Sequence, residues 1–140
     1  MKKALTSKVE QPKEIKQDVR IGSGCTLLDL ACSDTLKAFR AGTMVHLVGD
    51  SSSGKSILAL TLFAEACHNK NFDDYVFIYD DVEAANQFNM EKLFGPVTAQ
   101  RIIPARKQGD EEHPSDCIED FQANILSHIK KGKPFIYVLD

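Results

Sequence analysis

Eight consecutive residues leave this chain few folds to choose from. Gly49, Asp50, Ser51, Ser52, Ser53, Gly54, Lys55 and Ser56 satisfy the pattern G-x-x-x-x-G-K-[ST] at each fixed position. Anion chemistry explains the spacing. Two glycines let the backbone curl so that successive N–H groups point inward at phosphate oxygens. Lys55 adds a mobile point charge for the outer phosphates of a nucleotide, and Ser56 offers a hydroxyl to Mg2+. A helix starting here turns its positive dipole end toward the same anion. The flanks agree. Met44, Val45, His46, Leu47 and Val48 form a short apolar run that predicts a buried strand. Residues 57–67 are apolar on nearly all faces and predict a helix that ends near His68 to Lys70, where Asn69 and Asn71 act as stop signals.

The rest of the chain repeats the alternation of strand and helix. Tyr75, Val76, Phe77, Ile78 and Tyr79 predict a second strand covered on both faces. Residues 84–94 are helical in composition, with Gly95 and Pro96 as the stop. Arg101, Ile102 and Ile103 predict a short strand, which Pro104 confines to a sheet edge or a strand end. Ser115 is the expected N-cap of a helix whose apolar stripe is Ile118, Phe121, Ile125 and Ile129, with Gly132 at its C′ position. Phe135, Ile136, Tyr137, Val138 and Leu139 form a last buried strand, closed by Asp140. Upstream, Gly22 and Gly24 predict a turn before a short helix that Leu27, Leu28 and Leu30 pack onto the core. Together these elements predict an α/β fold, a mostly parallel sheet with helices on both faces. Residues 1–20 are polar and read as an N-terminal arm: a mobile segment, an edge element or a docking segment for a neighbouring subunit.

In open parallel sheets, ligands sit outside the carboxyl ends of the strands. The glycine loop, Glu83 and Asp140 all fall at that edge. Asp140 ends an apolar strand, where its carboxylate would hold Mg2+ opposite Ser56. Glu83 follows the second strand. On spacing alone it is either the base that activates water against the γ-phosphate or a capping acid for the next helix, a part Asp81 fills equally well. Asp80 and Asp81 read as capping or network residues.

Bulk properties narrow the function further. A net charge of -3 gives no sequence-level support for a nucleic-acid surface. Cys25, Cys32, Cys67 and Cys117 form no C-x-x-C pair, so buried, reduced thiols are expected instead of a zinc site. Neither a signal peptide nor a run long enough to span a membrane is present, and the expected location is cytoplasmic.

Four segments, in order, resemble the RecA-type recombinase ATPases, including their phage versions. The run 21–30, with Gly24 followed by Leu28 and Asp29, resembles the family's TG…LD opening to the core. Residues 49–56 resemble its Walker A loop. Tyr79, Asp80, Asp81, Val82 and Glu83 resemble the strand end that carries its catalytic glutamate. Residues 135–140 resemble its Walker B strand. The resemblance covers residues 21–140 and implies a P-loop RecA-like core. It implies Glu83 and Lys55 as catalytic, Ser56 and Asp140 at the metal, ATP and Mg2+ as ligands, single-stranded DNA as partner, and a homo-oligomeric filament or ring. Phe88 is the candidate for stacking on adenine. In the family, the DNA-binding loops follow Walker B, as does a strand lying between the Walker A and Walker B strands. The chain therefore reads as the N-terminal part of a core, truncated after Walker B. A DnaB-type helicase, a KaiC-like ATPase, and a nucleotide-binding fragment with little turnover are the alternatives.

Overall fold

A computed structural model describes residues 18–83, 87–108 and 111–140. A short antiparallel pair, β1 (Arg20–Ile21) with β2 (Phe39–Arg40), encloses helix α1 (Thr26–Ser33). Helix α2 (Lys55–Cys67) follows, then a single 3-10 turn at Lys70–Phe72 and strand β3 (Val76–Asp80). Helix α3 (Met90–Arg101) leads into β4 (Ile102–Pro104). A small hairpin of β5 (Arg106–Gln108) and β6 (Glu111–His113) precedes helix α4 (Ile118–Lys130) and strand β7 (Phe135–Leu139).

The main sheet has three strands in the order β4-β3-β7, all parallel, so the α/β class holds. Pro104 lies on the edge strand, where its missing N–H removes no ladder bond. Register partners share a face of the sheet. Phe77 with Ile136 and Tyr79 with Val138 look one way; Ile78 with Tyr137 and Asp80 with Leu139 look the other. Helix α2 covers the first face, where the Phe63 ring stacks on Phe77 at 5.4 Å. Helix α4 covers the second, with Phe121 edge-on to Tyr137 at 5.5 Å and His128 against Phe135 at 5.9 Å. Both faces of β3 are therefore sealed, which explains its unbroken apolar run.

Helix α2 is the centre of the core. Leu60, Phe63 and Ala66 are fully buried beside Phe72 and Phe77. Arg101 locks this face from the end of α3. Its guanidinium lies 4.1 Å over the Phe77 ring and donates to the carbonyls of Phe72 at 2.7 Å, Asp73 at 3.2 Å and Tyr75 at 3.2 Å.

Several expectations require correction. Residues 44–48 form no strand. A strand exists only through its ladder, and among the described residues nothing pairs with the far edge of β7 or with this run. Met44 and Val48 are accordingly exposed, and Leu47 alone packs against the core. The helix expected over 84–94 starts at Met90, where the Asn89 side chain accepts from the Lys92 amide; residues 84–86 lie outside the described residues. Gly95, at φ +81°, breaks that helix, but Pro96 restarts it instead of ending it. Leu27 and Leu30 are exposed, so α1 is not held by its leucines. Buried Asp29 ties it down: Oδ1 accepts from the amides of Ser23 at 2.8 Å and Ala38 at 3.1 Å. On α4 the buried positions are Asn124 and His128, while Ile118 and Ile129 of the expected stripe are exposed. Cys25, Cys32 and Cys117 are exposed thiols. Residues 1–17 of the expected arm lie outside the described residues.

His128 makes stability depend on pH. Burial pulls its imidazole below the ordinary value of 6.5, Lys131 adds to the effect, and a bond to the Ala105 carbonyl opposes it. The unfolded chain therefore binds the proton more readily. Stability should begin to fall as pH drops through about 6.5 and continue falling to the depressed folded value. A His128→Phe variant should show a weaker decline in melting temperature between about pH 7 and pH 5 than the wild type. Identical pH profiles for the two proteins would remove His128 from this role.

Candidate functional site

The glycine loop opens α2 as the motif requires. Gly54, at φ +88°, is the N-cap, and Ser52 also adopts a left-handed conformation at φ +60°. The Ser53 amide closes the turn on the Asp50 carbonyl at 3.2 Å. Gly49 has a packing reason: a Cβ there would lie 2.7 Å from Ser53 Oγ. Asp50, Ser51, Ser52 and Ser53 are exposed around the mouth of the loop. The first amides of α2 have no intrahelical partner, which leaves donors pointing out of the helix end. Lys55 Nζ folds back over the loop and donates to the carbonyls of Gly49 at 3.1 Å and Asp50 at 2.9 Å. Its charge already stands where an anion in the loop would meet it.

Next to Lys55, Ser56 makes a long-range contact. Its hydroxyl donates to Asp140 Oδ1 at 3.1 Å across 84 residues of sequence. The other carboxylate oxygen, Oδ2, accepts from the Tyr79 phenol at 2.7 Å. The backbone fixes the same point twice: the Asp140 amide donates to the Asp80 carbonyl at 3.0 Å, and the Val82 amide to the Asp140 carbonyl at 3.0 Å. Burial and the bond to Asp140 hold the Tyr79 phenol far above its usual range, so it stays a donor.

On the opposite face of β3, Asp80 is fully buried. It accepts from the Ser115 amide at 2.8 Å, the Ser115 hydroxyl at 2.6 Å and the Tyr137 phenol at 2.5 Å, and Asn124 donates to the Ser115 hydroxyl at 2.9 Å. Ser115 is thereby committed to the sheet and does not cap α4, whose N-cap is Cys117. Asp80 is thus a network residue, as its position suggested.

Lys55, Ser56 and Asp140 are brought to one place. Glu83 lies on the turn after β3 and is exposed, and among the described residues no hydrogen bond joins it to those three. Phe88 is 42% exposed. The donor set suits Mg2+. A hydroxyl and a carboxylate are hard oxygen ligands, and this ion ordinarily takes one or two carboxylates, with phosphate and water completing its shell. Among the described residues no group of three or more His, Cys, Asp and Glu side chains would hold a metal alone. Sequence reasoning missed Tyr79 as the group that orders Asp140, and Tyr137 as a partner of Asp80 on the opposite face. Their signal was a phenol within a largely apolar strand, whose polar tip must find a partner.

Among the described residues no helix is long and apolar enough to cross a membrane. No family model, curated protein or solved structure matches the chain.

Proposed function

We propose that this chain is the nucleotide-binding part of a RecA-type ATPase, binding ATP with Mg2+ and hydrolysing it in DNA recombination or repair. One observation carries the reading: the hydroxyl that follows the loop lysine meets a strand-end carboxylate 84 residues away, at 3.1 Å. Together the hydroxyl and the carboxylate would make half of a metal site beside a phosphate cradle. In this reading the backbone of residues 49–54 and Lys55 bind the phosphates, and Ser56 with Asp140 holds Mg2+. Bound Mg2+ would neutralise phosphate charge and orient the terminal phosphoryl group. Glu83 is the proposed base for the attacking water. Single-stranded DNA is the proposed activator, acting through elements outside this chain. A homo-oligomer and a cytoplasmic location complete the proposal.

The exposure of Glu83 favours a second reading, a nucleotide-binding module with little turnover. Steady-state ATP hydrolysis, measured with and without single-stranded DNA, separates the two. Under the ATPase reading, Glu83→Gln should lower turnover about 100-fold or more while leaving ATP affinity unchanged. Equal turnover in wild type and variant, with ATP bound by both, would exclude Glu83 as the base. Failure of the wild type to bind ATP would remove both readings.

A further inference from the structure

We infer that Tyr79 is a positioning residue for the metal site, holding the Asp140 carboxylate so that one defined oxygen faces Ser56. The inference rests on the nucleotide-binding reading above and extends it to a residue which the glycine-loop and strand-end motifs do not assign.

The argument starts from the carboxylate. The terminal torsion of an aspartate is broad and roughly two-fold, so an unsupported carboxylate exchanges its oxygens easily. Asp140 is not unsupported. Oδ2 accepts from the Tyr79 phenol at 2.7 Å, which leaves Oδ1 for Ser56 at 3.1 Å. When Ser56 turns its hydroxyl lone pair to a cation, the serine bond is lost, and the phenol becomes the remaining side-chain contact of the pair just described. The scaffold beneath is rigid. Tyr79 sits on β3 in register with Val138 of β7, and β3 is paired on both sides. The phenol belongs to the α2 face of the sheet, the same face as Ser56, so all three side chains converge from two strands and one helix. Outer hydrogen bonds of this kind orient ligating carboxylates, and removing one typically weakens metal binding about 10- to 100-fold.

Tyr79→Phe keeps the ring and removes only the donor, so packing and donation are separable. The full chain is titrated with Mn2+ as the probe in the presence of a slowly hydrolysed ATP analogue, and free Mn2+ is counted by electron paramagnetic resonance. Analogue affinity is measured separately without metal. Tyr79→Phe should weaken Mn2+ binding about 10-fold or more and leave metal-free analogue affinity unchanged. Ser56→Ala and Asp140→Asn serve as controls. If both controls lose Mn2+ affinity and Tyr79→Phe does not, the phenol only packs, and this inference falls while the nucleotide reading stands. If neither control loses affinity, the metal site itself is misassigned, and the inference falls with it. Should Tyr79→Phe fail to fold by circular dichroism, Tyr79→His, which retains a ring N–H, takes its place. Mn2+ affinity within about threefold of wild type would then support donation, and a loss as large as that of Ser56→Ala would overturn it.

Discussion

If the proposed nucleotide site is right, Lys55→Ala should weaken ATP binding about 100-fold or more, equivalent to about 3 kcal/mol, because a charge-assisted contact to two phosphates would be lost. The fold should hardly notice. Among the described residues, Lys55 Nζ hydrogen-bonds only to the exposed carbonyls of Gly49 and Asp50, which water can satisfy once the ammonium is gone. Removal of an exposed contact of this kind typically changes stability by less than about 0.5 kcal/mol. Titration with a fluorescent ATP analogue, paired with a thermal melt, measures both quantities. Normal affinity in a folded Lys55→Ala variant would show that residues 49–56 do not cradle phosphate. Arginine at this position is not expected to rescue binding, since its planar fork does not replace a compact ammonium inside a tight loop.

The second large effect concerns the fold. Asp80→Ala should destabilise the chain by about 3–5 kcal/mol, because it strands several buried donors at once. The Ser115 amide, the Ser115 hydroxyl and the Tyr137 phenol all lose their acceptor, around a carboxylate that has no exposure to solvent. A domain of ordinary stability has only about 5–15 kcal/mol to lose, so the variant should unfold at markedly lower urea concentration. A loss under about 1 kcal/mol would mean that water or a rearranged Asn124 replaces the carboxylate. Tyr137→Phe makes the comparison sharper. It removes one donor together with its requirement for a partner, and should destabilise much less than Asp80→Ala.

The difference between these two sites shows which parts of the structure were legible in the sequence. The glycine loop, α2, β3 and β7 are local events. Each is dictated by a continuous pattern of apolar residues or by glycine geometry, and each formed where that pattern placed it. The edge position of β4 was legible for the same reason, through Pro104. Partner choice was not legible. The run 44–48 has the composition of a strand and yet forms none, because strand formation depends on a neighbour that composition cannot specify. Ser115 has the composition of an N-cap, but a buried carboxylate on another element competes for its hydroxyl and amide and wins. Half of the stripe on α4 was legible: Phe121 packs on Tyr137, but Ile118 and Ile129 are exposed, and Asn124 and His128 are the buried positions, held by a hydrogen bond and a ring contact. At the candidate site, Lys55, Ser56 and Asp140 could be named from motif and strand-end position. Tyr79 could not, since a tyrosine in an apolar strand reads first as core.

The meeting of Ser56 with Asp140 also bears on how the chain acquires its shape. The two groups are separated by 84 residues, and closing a loop of that length opposes folding by about 4 kcal/mol before any contact repays it. Parallel pairing of β3 with β7 adds another distant closure, and chains rich in such contacts fold more slowly than those built from local ones. During synthesis, the glycine loop and α2 emerge long before their distant acid. A ribosome-bound chain halted short of β7 should therefore lack the Asp140 half of the candidate site, whatever the state of its first helices.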